Sequence, residues 1–268
     1  MAKIRICLAG ATGWAGSALS RGVFESPDME LVAAISRSHA GQVLGDVLNI
    51  KGLTTPIFVT AEEALNTRPD VFVEFTKPDV AKSNVLAALK NGAHVVVGTS
   101  GLSDEDYQEI DAVARAGKRA VLAVGNFAMA AVLLQKFAEI AAKYIPHWEI
   151  IDYAQSTKID VPSGTARELA NRLSKVRESQ LDIPLDSIQG PKETRGARLK
   201  GSQIHSIRLP GFVISLDAIF GAAPDQRLIL RYESGTSAEP YVSGGLLAIR
   251  KVSGLVGVHR GLDSIMEF

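Results

Sequence analysis

Ile4-Arg5-Ile6-Cys7-Leu8-Ala9-Gly10-Ala11-Thr12-Gly13-Trp14-Ala15-Gly16 is an apolar run of strand length that passes directly into three glycines spaced two residues apart. The next residues, 17–24, place apolar side chains at helical spacing. Strand, glycine turn and helix in that order bring backbone N–H groups and the positive end of a helix dipole to one point, and glycines let a pyrophosphate approach it. The spacing is G-x-x-G-x-x-G rather than G-x-G-x-x-G, and a purely structural turn is the competing reading. A second apolar strand at 31–35, about twenty residues on, favours the dinucleotide. Gly10, Thr12, Gly13, Trp14 and Ala15 are therefore cofactor-binding candidates.

At the end of that second strand, an acid would hold the ribose 2′-hydroxyl of NAD. The residues here are Ser36-Arg37-Ser38. A guanidinium between two hydroxyls suits a 2′-phosphate, so NADPH is the expected cofactor, with NADH as the alternative, and Arg37 is its contact. Strands are expected at 56–60, 71–75, 94–97 and 120–124, with helices at 61–66, 79–91 and 104–115. This alternation implies an α/β fold with a Rossmann-like, doubly wound parallel sheet, whose ligands lie at the carboxyl ends of the strands. Three polar exits fall at such ends, and they make Phe75, Thr76, Gly98, Thr99, Ser100, Asn126 and Phe127 candidates to line a cofactor crevice.

Composition bounds the partners. With 46% hydrophobic and 22% charged residues and a formal charge of zero over 268 residues, the chain reads as a soluble globular protein. It has no global field to draw nucleic acid or an anionic membrane, and a small-molecule partner is expected. The single cysteine, Cys7, excludes an internal disulfide framework and suits a reducing compartment. It reads as a packed, inert strand residue. Histidines at 39, 94, 147, 205 and 259 share no ligand spacing, so no metal is expected. The first strand begins too early to leave room for a signal peptide, and no apolar run approaches the ~18 residues of a membrane span. A cytoplasmic location is expected.

Beyond 126 the pattern changes. A long helix at 128–144, a strand at 148–153 and a helix at 166–177 precede a polar, irregular stretch at 178–202. Strands at 204–209, 213–220 and 227–233 then follow, joined by short turns that imply an antiparallel α+β unit. From 244 a terminal helix and tail are expected. Between the strand at 148–153 and its helix lies Lys158-Ile159-Asp160-Val161-Pro162-Ser163-Gly164-Thr165-Ala166. Residues that begin helices leave N–H groups pointing outward, so this reads as an anion cradle with a lysine beside it. A plain N-cap beside a surface lysine is the alternative.

On these stretches the chain resembles the 4-hydroxy-tetrahydrodipicolinate (dihydrodipicolinate) reductase family of the lysine and diaminopimelate pathway. The carriers are the glycine turn, 71–78, 97–102, 125–127 and, most specific, 158–166. The resemblance implies a dinucleotide-binding domain at 1–125, a substrate-binding and oligomerisation domain with an open mixed sheet at 126–243, and a segment, 244–268, returning to the first domain. It implies a homotetramer, a catalytic Lys158, and a grip on a substrate carboxylate by Ser163, Gly164 and Thr165. It further implies an NAD(P)H-dependent reduction of a carboxylated cyclic imine. The family carries two adjacent histidines four and three residues before the lysine, and this chain has Ala154 and Gln155 there. Trp14 stands where the family usually has arginine, and a later-strand histidine is missing around 215–217. A paralogue reducing a different imino acid, or a non-catalytic dinucleotide-binding protein, are the alternatives.

Overall fold

The computed structural model describes residues 2–268. Its elements are β1 (Ile4–Ala9), α1 (Trp14–Glu25), β2 (Met29–Ile35), α2 (Leu44–Leu48), β3 (Ile57–Phe58), α3 (Ala61–Leu65), β4 (Val71–Glu74), α4 (Pro78–Lys90), β5 (His94–Val97), α5 (Asp104–Ala116) and β6 (Ala120–Ala123). Then come α6 (Met129–Tyr144), β7 (His147–Ala154), α7 (Gly164–Ser174), β8 (Ala197–Leu199), β9 (Ser202–Arg208), β10 (Ile214–Ala222), β11 (Gln226–Ser234), α8 (Pro240–Val252) and β12 (Gly257–Arg260). The chain divides into two compact units, Met1–Met129 with Ala238–Phe268, and Ala130–Ser237.

The first unit holds a seven-stranded sheet in the order β12-β6-β5-β4-β1-β2-β3, parallel at every pairing. Strands buried on both faces read as continuous apolar runs, and β4 and β6 are buried at every residue. Helix starts follow their caps. Thr60 accepts the Glu63 N–H ahead of α3, and Ser103 with Asp106 forms a full capping box on α5. The segment α8–β12 completes this unit. Gly22 of α1 and Gly245 of α8 let the two helices close, since a Cβ at either would meet Val242 at 2.3 Å or Leu19 at 2.8 Å.

The second unit holds a five-stranded sheet in the order β11-β10-β7-β9-β8. Along β7 the residues alternate between half-buried and buried, and α7 packs its apolar stripe of Leu169 and Leu173 against β7 and β9. The turn-joined β10 and β11 pair antiparallel as expected, but β9 and β10 are not neighbours: β7 lies between them, antiparallel to β10 and parallel to β9. The reason is the connection: the chain from β7 to β9 contains α7 and is long enough for a crossover, so the sheet is mixed, as the family resemblance implied, and not purely antiparallel as the short turns suggested. On its far edge Leu228 and Ile229 of β11 are 39% and 54% exposed. Two further differences concern ends. Pro at the first helical position starts α8 at Pro240, before 244, and part of the expected tail is β12.

Candidate functional site

In the first unit the site is built from backbone. Gly10 has φ +79°, and a Cβ there would lie 2.3 Å from the Phe75 carbonyl oxygen; one at Gly16 would lie 2.0 Å from that of Gly10. Only glycine fits either place. Gly13 is the N-cap of α1 without a side-chain cap, and no acid stands in the first turn. The helix start, positive end of its dipole included, is thus presented to a ligand without competition from the helix's own side chains. Trp14 opens the helix with its ring edge-on to Tyr241, centroids 5.4 Å apart.

Thr12 Oγ1 lies 2.8 Å from Ser36 Oγ, joining the glycine turn to the end of β2. Next to Ser36, Arg37 is exposed and holds no hydrogen-bond or ion-pair partner among the described residues. Ala15, Phe75, Thr76, Gly98, Thr99, Ser100 and Phe127 come together around one cavity of about 220 Å³, with Pro78, Gly125 and Tyr241. Gly98 is required there, because a Cβ would lie 2.2 Å from the Phe75 ring and 2.8 Å from that of Phe127. Asn126 is not in the cavity wall; its Oδ1 accepts the Ala128 N–H at 2.9 Å. The glycine-turn cradle, its uncapped helix start and the unpartnered Arg37 fit a phosphorylated dinucleotide.

Behind this cavity stands an acid that sequence reading passed over. Glu74 ends β4 fully buried. It accepts the Thr76 N–H at 2.8 Å, the Thr76 hydroxyl, Asn84 Nδ2 at 2.8 Å and the Thr99 hydroxyl at 3.4 Å. Burial pushes its carboxyl above the ordinary carboxylate range, against the pull of those donors. The signal was available, since an acid inside an apolar parallel-sheet strand is rare without a reason. Burial, and then Glu74, raise the Cys7 thiol, which is packed inside β1 as expected.

In the second unit Ser163 caps α7, its Oγ accepting the Ala166 N–H at 3.3 Å. Its own N–H is taken by Asp152 Oδ2 at 2.8 Å. The Ser163 side chain is hydrogen-bonded to Asp152 as well, which leaves the exposed Gly164 and the half-buried Thr165 to meet a ligand. Lys158 Nζ is 2.7 Å from Asp160 Oδ1, and Arg167 Nη2 is 3.8 Å from Asp160 Oδ2, so one carboxylate links the lysine to the first turn of α7. The Lys158 ammonium holds the Asp160 carboxyl below its usual range.

Asp152, in the middle of the apolar strand β7, is the hub that sequence reading missed. Its Oδ2 also accepts Ser206 Oγ at 3.1 Å and Arg208 Nη2 at 2.8 Å, while Arg208 Nη2 reaches the Asp160 carbonyl at 2.9 Å. Burial raises its carboxyl, but the Ser163 and Arg208 hydrogen bonds outweigh that and hold it low. Other polar groups nearby are committed elsewhere. The Tyr153 hydroxyl donates to Asp217, Arg195 pairs with Glu149, and Arg198 with Glu178. A cavity of about 560 Å³ around Trp148, Ile188 and Ile219 contains neither Lys158 nor the cradle. Among the described residues, no group of three His, Cys, Asp or Glu is placed to hold a metal, and no helix is long and apolar enough to cross a membrane.

A doubly wound sheet with a glycine turn at its first helix, joined to a second unit with its own mixed sheet, is the build of a two-unit dinucleotide-dependent reductase. The chain belongs to the dihydrodipicolinate reductase family, whose N-terminal model matches residues 4–127 and whose C-terminal model matches residues 130–265. It is 35% identical over 265 residues to the 4-hydroxy-tetrahydrodipicolinate reductase of Listeria monocytogenes serotype 4b, covering 98% of this chain and 100% of that protein. It is 36% identical over 269 residues to that of Desulfitobacterium hafniense, covering all of both. A dipicolinate-bound dihydrodipicolinate reductase from Paenisporosarcina sp. TG-14 superposes with a TM-score of 0.88 at 32% identity, covering 98% and 100%. By membership this is an oxidoreductase family that uses a nicotinamide dinucleotide.

Proposed function

We propose that the chain reduces a carboxylated cyclic imine, or its hydrated form, of the 4-hydroxy-tetrahydrodipicolinate type, with NADPH preferred over NADH. The observation that carries this reading is the cradle at α7, where Lys158, held by Asp160, stands beside a helix start with uncommitted Gly164 and Thr165. When bound, the dinucleotide supplies a hydride. Gly10, Thr12, Gly13, Trp14 and Ala15 hold its pyrophosphate at the start of α1, and Arg37 takes the 2′-phosphate. Phe75, Thr76, Gly98, Thr99 and Ser100, with Phe127 behind Gly98 and Asn126 fixing the turn after β6, shape the nicotinamide crevice.

Gly164 and Thr165 grip a substrate carboxylate at the helix start that Ser163 caps, and the Lys158 ammonium stabilises the negative charge that builds on the substrate and delivers the proton. Tyr153, with its proton turned to Asp217, is not available for that task. Reduction of a different imino acid is the second reading. It is favoured by Ala154, which is 2% exposed at the end of β7 and offers no acid where the family has a histidine.

Steady-state oxidation of NADPH with enzymatically generated dihydrodipicolinate and a panel of cyclic imino acids tests both. Lys158→Ala should lower turnover by about 10²–10⁴-fold with folding intact, since the side chain is 37% exposed. Ala154→His should raise turnover of dihydrodipicolinate if the first reading is incomplete. NADPH binding without turnover of any imine would leave a dinucleotide-binding protein. We also propose a homotetramer built through the sheet that carries β9, β10 and β11, supported by the exposed Leu228 and Ile229. A monomeric mass in light scattering at micromolar concentration would refute it.

A further inference from the structure

Glu74 stands behind the crevice wall, bonded to two residues that line it, and the assignment above does not use its chemistry. It is fully buried, no cation pairs with it among the described residues, and neutral donors alone meet it. A buried carboxylate so served costs stability relative to an apolar residue. What it does to its neighbours explains its presence.

An ionised carboxylate accepts hydrogen bonds and cannot donate. Each hydroxyl bonded to it must therefore turn its proton inward, which leaves that oxygen only lone pairs for anything on its other side. The Thr76 hydroxyl bonds to Oε1, and the Thr99 hydroxyl lies 3.4 Å from the same oxygen and 3.2 Å from the Glu74 carbonyl oxygen, a second pure acceptor. Thr76 and Thr99 both line the cavity of about 220 Å³. The Thr76 N–H is also spent on Glu74. At these two places the wall offers acceptors, which disfavour the oxygens of a phosphate or carboxylate and match a primary amide N–H₂.

We propose that Glu74 is a positioning residue that sets the hydrogen-bond polarity of the crevice, so that Thr76 and Thr99 accept from the carboxamide N–H₂ of the nicotinamide and hold that end of the dinucleotide there. This rests on the dinucleotide assignment made above. Asn84 belongs to the same device: its amide fixes the second carboxylate oxygen, at 2.8 Å, from α4.

The test compares binding of NADPH with binding of its 3-acetylpyridine analogue, in which a methyl group replaces the amide N–H₂. Dissociation constants are read by nucleotide fluorescence without substrate, at about pH 8 to favour the ionised acid. Wild type should hold NADPH about tenfold more tightly than the analogue, the size of one lost hydrogen bond with a buried acceptor left unmet. Glu74→Gln keeps an acceptor towards Thr76, and Asn84 can turn its amide to match, so most of the ratio should survive. Glu74→Ala frees both hydroxyls to rotate and should bring the ratio towards unity. Thr99→Val should lower it without touching the acid, which covers a Glu74→Ala variant that does not fold. A wild-type ratio near unity with NADPH still bound overturns the inference alone, as does a ratio unchanged in Thr99→Val and in any folded Glu74→Ala. Failure of wild type to bind either nucleotide overturns the dinucleotide assignment and the inference with it.

Discussion

Asp152→Ala should dismantle the cradle from beneath. The carboxylate is 1% exposed and one oxygen of it serves the Ser163 N–H, Ser206 and Arg208. Its removal strands a guanidinium whose side chain is 13% exposed and leaves the N–H ahead of α7 without its acceptor. Removing one partner of a buried ion pair costs about 3–5 kcal/mol. Arg208 keeps its contacts to the carbonyls of Asp152 and Asp160, which puts the expected loss near the lower end, about 3 kcal/mol. At about 2–4 °C per kcal/mol for a chain of this length, the midpoint should fall by ~6–12 °C. Trp148 lies on β7 with its Nε1 bonded to Ser202 at 2.9 Å, so in a Trp14→Phe background its fluorescence reports the unit that carries the cradle. Asp152→Asn, which keeps an oxygen for Ser163, should lose less. A midpoint for Asp152→Ala within about 2 °C of wild type would refute the hub. Linkage gives a second reading. The folded carboxyl is held below its unfolded value, so its contribution is present above the ordinary carboxylate range and lost as pH falls through the folded value. Asp152→Asn should lose that acid limb.

Arg37→Asp should reverse the NADPH preference, losing a charge-assisted contact of about 1.5–3 kcal/mol, and an unchanged ratio of NADPH to NADH dissociation constants would remove Arg37 from the site. Glu74 has the opposite linkage to Asp152. Its carboxyl is raised by burial, so stability should decline as pH climbs from the unfolded carboxylate range through the folded value. Glu74→Gln should flatten that decline in pH-resolved thermal unfolding, and a wild-type curve already flat there would show the acid is not strained.

Much of this was legible because the chemistry was local. The glycine turn, the strands feeding it and the Ser163 cap are each set by neighbours within a few residues, and the structure places them near the expected bounds. What escaped was set from far away. Asp152 looks like an outlier in an apolar strand until Arg208, far along the chain, folds beside it. Tyr241 reaches the cavity beside Phe75 and Gly98 only because α8 lies against α1. The parallel pairing of β7 with β9 depended on counting α7 as a crossover instead of reading each short turn as a hairpin. β12 is four residues with a glycine start, too short to show a period, and its partner β6 supplies the reason it is a strand. Glu74 was visible as an acid in the wrong company, but its donors on α4 and after β5 were not.

The return of the chain to its first sheet orders events at the ribosome. Residues up to 129 emerge first, yet β6 has its outer edge covered only by β12, which is synthesised after all of 130–237. Through that interval the nascent first unit carries an open parallel edge and an uncovered face on α1, where Leu19 and Gly22 wait for α8. Such an edge is a template for pairing with other chains. The protein should therefore depend on chaperone protection more during translation than its finished fold would suggest, and a chain stopped before 238 should be recovered as aggregate.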